Sequence, residues 1–384
     1  MITQNQTPLE IPSFYCPIPA AAHPDTAGFD RRSADWFRGF GACDDEAIKR
    51  LSEGKVALVP GLALPHGIPE VVEIATNFEY LGHGFDEIAF EAGRFGQQPD
   101  EAAGLLALMT RVIEVPEAPV LEDNPWAAGL RDLRRSLERH ATPTQMSRWV
   151  AAWRRYFFGL GWETLHRSQG TLPSLNEFIS MRMAGTVGME ILTTMSDIAE
   201  GYELPTAELE KPAVRALIEM SWMLVALDND LYSYHREALL QGNGLNAIDV
   251  VAREDGCTTT QAVPKVVAMR DRVMCLFLRL RDQLALDSGW ELNRYVATLA
   301  QWVRAHLDWA LASPRYLTPL GADSPPGTWA QLPTSYAPRP TDDNLEPLPI
   351  PAVAWWWRCA DLTHSPAAPA PTPALPLPRH RSAA

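Results

Sequence analysis

Five cysteines in 384 residues, Cys16, Cys43, Cys257, Cys275 and Cys359, are scattered with no CxxC pair, so the chain encodes neither a disulfide framework nor a thiolate metal site. No apolar run approaches the roughly 18 residues of a helical membrane span, so no integral membrane segment is expected. The amino terminus, Met-Ile-Thr-Gln-Asn-Gln, lacks the basic-then-apolar pattern of a secretory signal. A reducing cytoplasm is the expected location. Basic residues number 33 against 47 acidic ones, a net charge of −14, which disfavours general binding to nucleic acid or acidic lipid. Alternating strand patterns and internal repeats are missing too, which argues against a sheet protein or a solenoid.

What the chain has in quantity is apolar residues, 46% of the total, with 21% charged. That is enough for a large core in one big or two moderate domains. Long periodic apolar patterns predict helices over residues 68–93, 146–168, 175–200, 207–241, 260–286 and 290–312. Breaks at Gly170 to Ser174, Gly201 to Pro205 and Gly242-Asn243-Gly244 separate them. The expected fold is therefore all-α, one helical bundle over residues 1–320. Residues 1 to about 30, with Phe14-Tyr15-Cys16-Pro17-Ile18-Pro19, are too proline-rich for helix and are expected to wrap the bundle. Residues 321–384 form a Pro-rich tail carrying Trp355-Trp356-Trp357. Three adjacent tryptophans in water expose costly apolar surface, so this patch is expected to dock on the bundle or a partner, while Ser365 to Pro373 reads as extended linker.

The stretch Asp228-Asn229-Asp230-Leu231-Tyr232-Ser233-Tyr234-His235-Arg236-Glu237 carries the most specific signal. Asn229, Ser233 and Glu237 recur four residues apart and share one helix face. An amide oxygen, a hydroxyl and a carboxylate form a hard-oxygen set suited to Mg²⁺, an ion that takes its remaining ligands from phosphate. A solvated polar stripe has the same spacing, so other parts of the chain must decide. The run Asn-Asp-Leu-x-Ser-x-x-x-Glu resembles the second metal motif of bacterial class I terpene synthases, including its acidic second residue and aliphatic third.

Three further sites extend that resemblance over residues 85 to 316. Phe85-Asp86-Glu87-Ile88-Ala89-Phe90-Glu91 looks like the family's aspartate-rich motif, with Glu87 replacing the second aspartate and Phe90 standing where a third is usual. On a regular helix Glu87 and Glu91 share a face and Asp86 sits about 100° away. A competing register, Gly82-His83-Gly84-Phe85-Asp86, leaves a single acid. Arg182 takes the place of the family's diphosphate-sensing arginine, and a guanidinium suits forked contacts to phosphate oxygens. The small residues after it, Met183-Ala184-Gly185-Thr186-Val187-Gly188, invite a helix break. By resemblance Gly185 and Thr186 present a backbone carbonyl to the substrate cation, although close helix packing explains them equally. Finally, Arg315-Tyr316 resembles the Arg-Tyr pair that follows the last core helix.

The resemblance implies a class I terpene synthase fold with a central cavity, ionising an allylic prenyl diphosphate with three Mg²⁺. Asp86, Glu87, Glu91, Asn229, Ser233 and Glu237 are the implied metal ligands, and Arg182, Arg236, Arg315 and Tyr316 the implied diphosphate contacts. Phe78, Phe85 and Trp309 are candidate cavity aromatics, whose ring faces favour cations, or else plain core. Farnesyl diphosphate cyclised to a sesquiterpene is the expected reaction, with geranyl or 2-methylgeranyl diphosphate as runner-up. A prenyltransferase and a noncatalytic helical scaffold remain as other classes, and a homodimer is compatible with the chain.

Overall fold

The computed structural model describes residues 9–91, 93–240, 245–286, 288–317, 332–333 and 335–362. Helices dominate, and no strand forms among the described residues beyond one isolated bridge between Tyr15 and Ala337. The first layer comprises α1 (Thr26–Arg38), α2 (Asp45–Glu53), α3 (Leu58–Ala63) and α4 (Pro69–Gly84). Then follow α5 (Pro99–Glu114), α6 (Pro125–Glu138), α7 (Pro143–Gln169), α8 (Leu175–Met181) and the short α9 (Met189–Thr193), α10 (Ser196–Ala199) and α11 (Thr206–Leu209). The remainder is α12 (Pro212–Leu240), α13 (Ala247–Glu254), α14 (Thr259–Ala285), α15 (Trp290–Ala312), α16 (Pro314–Leu317) and α17 (Trp356–Leu362).

Helix starts follow local chemistry. Proline occupies the first turn of α4, α5, α6 and α7, where its fixed φ fits and its missing N–H costs nothing. Reciprocal capping boxes open α7 (Thr142 with Gln145), α8 (Ser174 with Glu177) and α14 (Thr258 with Gln261). Gly170, at φ 61°, ends α7 in the left-handed conformation that only glycine adopts without strain. The Gly242-Asn243-Gly244 stop lies outside the described residues.

The long helices α4, α7, α12, α14 and α15 pack around one core. α12 lies against both α14 and α15, α15 against α3, and α7 against α5. Three predicted helices do not run through as α-helix, the 207–241 stretch being divided into α11 and α12 between Leu209 and Pro212. After Gly84 the chain widens into a π-helical turn, Phe85–Glu91, and after Met181 into a second, Arg182–Thr186, closed by Gly188 at φ 69°. A hydrophobic period of 3.6 does not reveal such turns, because the extra residue per turn is accommodated by tertiary contacts. Gly185 shows one such contact: a Cβ there would stand 2.5 Å from the carbonyl oxygen of Arg155 on α7. Helices α1, α2, α3, α5, α6, α13, α16 and α17 lie outside the stretches for which apolar periodicity predicts a helix. The amino-terminal extended segment therefore stops at Asp25, earlier than about residue 30.

Both terminal segments lie on the bundle. Phe14 and Ile18 are buried, the Tyr15 carbonyl accepts from Arg270, and the Ala337 N–H donates to the Phe14 carbonyl at 2.8 Å. Asp271 accepts from the backbone N–H of Tyr15 at 3.4 Å and from that of Thr341 at 2.8 Å, so one acid on α14 holds both straps. In the tail, Ile350, Val353, Trp356 and Trp357 enter the core, and the Trp356 indole donates to Glu219 on α12 at 3.0 Å. Trp356 is fully buried. Trp356→Ala is expected to cost about 3–5 kcal/mol through lost burial and a residual cavity, read as a lower urea-unfolding midpoint. An unchanged midpoint would show that the strap adds nothing to the fold.

Candidate active site

Asn229 is the side chain at which distant parts of the sequence meet. Its Oδ1 accepts from Arg182 Nη2 at 3.2 Å, across 47 residues, and its Nδ2 donates to the Tyr316 hydroxyl at 3.0 Å, across 87. Those two bonds fix the amide orientation and leave one lone pair of Oδ1 unused. One turn on, the buried Ser233 hydroxyl donates to Glu237 Oε1 at 2.5 Å, and Asn246 donates to Glu237 Oε2 at 3.0 Å. Arg182 also meets Asp230 at 2.5 Å and Glu163 at 3.8 Å. Of the triad, Asn229 and Glu237 line the cavity, and Ser233 is buried with its hydroxyl turned to Glu237.

The π-helical turn Phe85–Glu91 faces the far end of that triad. On a regular α-helix Asp86 and Glu91 would point about 140° apart. The i→i+5 register of a π turn brings residues five apart onto adjacent turns of one side, and both carboxylates line the same cavity. Glu87 points to two cations instead, Arg236 at 3.1 Å and Arg315. Arg236 also reaches Glu91 at 3.4 Å, bridging α12 to the acidic turn.

Between these walls lies an open-mouthed cavity. Asp86, Glu91, Glu163, Arg182, Asn229, Glu237, His306 and Arg315 line it, with Phe78, Val225, Leu192 and Trp309 contributing its apolar part. Phe85 is placed differently from the other candidate aromatics. Its ring packs among Phe90, Trp126 and Phe157 and lines a separate, small apolar space. Gly185 is enclosed by α7, as close helix packing requires, and the Thr186 side chain lies outside the described residues.

Comparison with known proteins decides the family. A family model described as terpene synthase family 2, C-terminal metal binding, matches residues 89–275. The chain is 38% identical over 358 residues to bonnadiene synthase of Allokutzneria albata, covering 91% of this chain and 98% of that protein. It is 33% identical over 353 residues to a farnesyl diphosphate-cyclizing (+)-T-muurolol synthase of Streptomyces clavuligerus, covering 90% and 81%. The crystal structure of SVS_A2, a protein from ancestral sequence reconstruction, superposes with a TM-score of 0.81 at 29% identity over 92% of this chain and all of that one. The chain belongs to the bacterial class I terpene synthases. It is accordingly an enzyme acting on prenyl diphosphates, with a domain of the metal-binding type. No helix among the described residues is long and apolar enough to cross a membrane.

Do the residues of this terpene synthase fit a divalent cation? Among the described residues no three acidic, histidine or cysteine groups converge tightly enough to hold one alone. The donor set depends on the amide of Asn229 and the hydroxyl of Ser233 beside one carboxylate, the oxygen chemistry that hard cations accept. Electrostatics agree. Burial, then Glu91 and Glu163, push the Asp86 carboxyl up to about 8; burial, then Asp230, push Glu237 up to about 7. Such crowding is relieved by positive charge. The residues fit. Glu163 and Asn246 escaped the sequence reading: Glu163 is a lone acid on an otherwise periodic helix, and Asn246 joins the triad only through the fold.

The raised acids make the metal-free protein pH-sensitive. With folded pKa values above unfolded ones, stability is greatest below the unfolded carboxylate range and is lost as pH rises through the folded values, about 7 to 8. We expect the thermal midpoint without divalent cation to fall between about pH 4 and 8 and to level off above, with Asp86→Asn flattening that slope. A wild-type slope retained in Asp86→Asn would contradict the assignment.

Proposed function

We propose that this enzyme ionises and cyclises farnesyl diphosphate with Mg²⁺, three ions being expected, and releases a sesquiterpene. The observation that carries the reading is the Arg182–Asn229–Tyr316 contact, which joins three separate motifs beside a cavity that Arg182 and Asn229 line. The muurolol synthase relative, named for farnesyl diphosphate, supports the choice of substrate.

Ionising an allylic diphosphate separates a polyanion from a carbocation, so the protein must stabilise the first and keep water from the second. Asn229, Ser233 and Glu237 would hold one Mg²⁺, and Asp86 with Glu91 the others, Glu87 contributing through its ion pairs with Arg236 and Arg315. Bound there, the metal would supply Lewis-acid neutralisation of the departing diphosphate. Arg182, Arg236 and Arg315 present fixed guanidinium donors to its oxygens, and the Tyr316 hydroxyl adds a further contact. The gain is positional as much as electrostatic, since the reacting bond is held between charged and apolar side chains of the cavity lining. Phe78 and Trp309 offer ring faces to the hydrocarbon cation. Arg182 heads the second π-helical turn, so Gly185 and Thr186 follow in the segment whose backbone would face the ionising carbon.

Incubation with Mg²⁺ and geranyl, farnesyl or geranylgeranyl diphosphate, followed by gas chromatography, tests the substrate. Farnesyl diphosphate is expected to give cyclic hydrocarbon or alcohol at the highest kcat/KM; preference for either other chain length would overturn the substrate assignment. Asn229→Ala and Glu237→Ala are each expected to lower turnover by about 10²-fold or more, as removal of a transition-state contact does. Near-wild-type kinetics in both would refute the ligand assignment.

A further inference from the structure

One polar side chain in the cavity wall has nothing to bond with. His306, on α15 one turn before Trp309, lines the cavity and is only 4% exposed. Neither of its ring nitrogens has a hydrogen-bond partner among the described residues. A buried imidazole left in that state loses its bonds to water without replacement, a cost that packing alone would remove by substituting an apolar residue. Its situation contrasts with that of His83, the second imidazole on this cavity, whose Nδ1 sits 3.1 Å from the Glu79 carboxylate. The two rings flank Trp309 edge-on, His306 at 5.5 Å and 64°, His83 at 5.8 Å and 74°. Along α15, six residues separate His306 from the helix end at Ala312, roughly 9 Å at 1.5 Å per residue. The imidazole therefore sits about that far along the helix from its Arg315 end, and it shares the cavity lining with Phe78, Leu192 and Val225.

We propose that His306 is the proton acceptor that ends the carbocation sequence. The assignment rests on the terpene synthase reading of the cavity. A ring nitrogen lone pair takes a proton from the carbon adjacent to the cationic centre. The C–H electron pair becomes the new C=C bond, a new N–H forms, and the positive charge passes from carbon to the imidazolium. That proton then leaves to the diphosphate already released or to water as the product departs, which restores the neutral ring. No outside reagent is required. Burial, with His83 and Arg182 adding to it, pushes His306 down to about 3, so the ring is neutral with its lone pair available throughout the working pH range. The same environment makes the imidazolium a strong acid that gives its proton back readily.

His306→Phe, His306→Asn and His83→Phe, assayed with Mg²⁺ and whichever of the three prenyl diphosphates the wild type consumes, provide the test. Diphosphate release and hydrocarbon products are measured in parallel. Both His306 variants are expected to keep diphosphate release within about tenfold, because the ionising groups are untouched. The share of the wild-type olefin should fall at least about tenfold, giving way to alkenes from other deprotonations or to alcohols. The thermal midpoint of His306→Phe should equal or exceed that of wild type, since no hydrogen bond is lost. An unchanged product profile in both His306 variants overturns the proposal. So does a redirection seen only in His83→Phe, a wild-type product that is solely an alcohol, or a fall in midpoint in both His306 variants, which would reveal a bonded ring. A wild type that releases no diphosphate from any of the three substrates refutes the functional reading instead.

Discussion

Charge balance in and around the cavity is the constraint on which this molecule depends. Asp86, Glu87, Glu91, Glu163, Asp230 and Glu237 converge there with Arg182, Arg236 and Arg315. Any one of these left buried and unpaired would cost several kcal/mol. Two of the arginines are therefore shared between carboxylates, Arg182 among Asp230, Glu163 and the amide of Asn229 and Arg236 between Glu87 and Glu91, while Arg315 pairs with Glu87. The reading proposed for the site asks the same groups to face a polyanion and its counter-cations, which bring both signs of charge at once and so preserve the balance.

The network also explains why the ends of the chain lie where they do. Asp228, beside Asn229, is buried against Arg270 at 2.8 Å, and Arg270 donates to the carbonyl of Tyr15. Its neighbour Asp271 ties in Thr341. The back of the metal-motif helix is thus braced by both terminal straps through two adjacent residues of α14. Removal of one partner from such a fully buried pair leaves an uncompensated charge, so the straps contribute to holding the triad face toward the cavity as well as to the core.

Much of this could be read from residues alone, and the reasons differ by feature. The triad was legible because α-helical spacing is rigid: residues four apart must share a face. Arg182 and Tyr316 were recognisable from order and residue type, and the structure brings both to Asn229. The tryptophan patch followed from the cost of exposed apolar surface, and Trp356 and Trp357 are buried. The acidic motif was harder. A 3.6-residue period separates Asp86 from Glu91, and only the π-helical turn, which no periodicity announces, places both on the cavity. Phe85 illustrates the same limit in reverse, because the widened turn puts its ring among Phe90, Trp126 and Phe157 instead of on the cavity. Helices α5 and α6 escaped notice because short amphipathic segments between prolines are easily taken for loops. His306 carried no signal at all, since an unbonded imidazole is a property of its surroundings.

The central claim is that divalent cation and arginines together hold a diphosphate at the Asn229 face. Calorimetric titration of the protein with inorganic diphosphate, with Mg²⁺ and then with excess chelator, tests it without depending on the hydrocarbon. The account predicts binding with Mg²⁺ that is lost with chelator and sharply weakened in Asn229→Ala. Equal binding with and without the cation, or an undiminished affinity in Asn229→Ala, would contradict it.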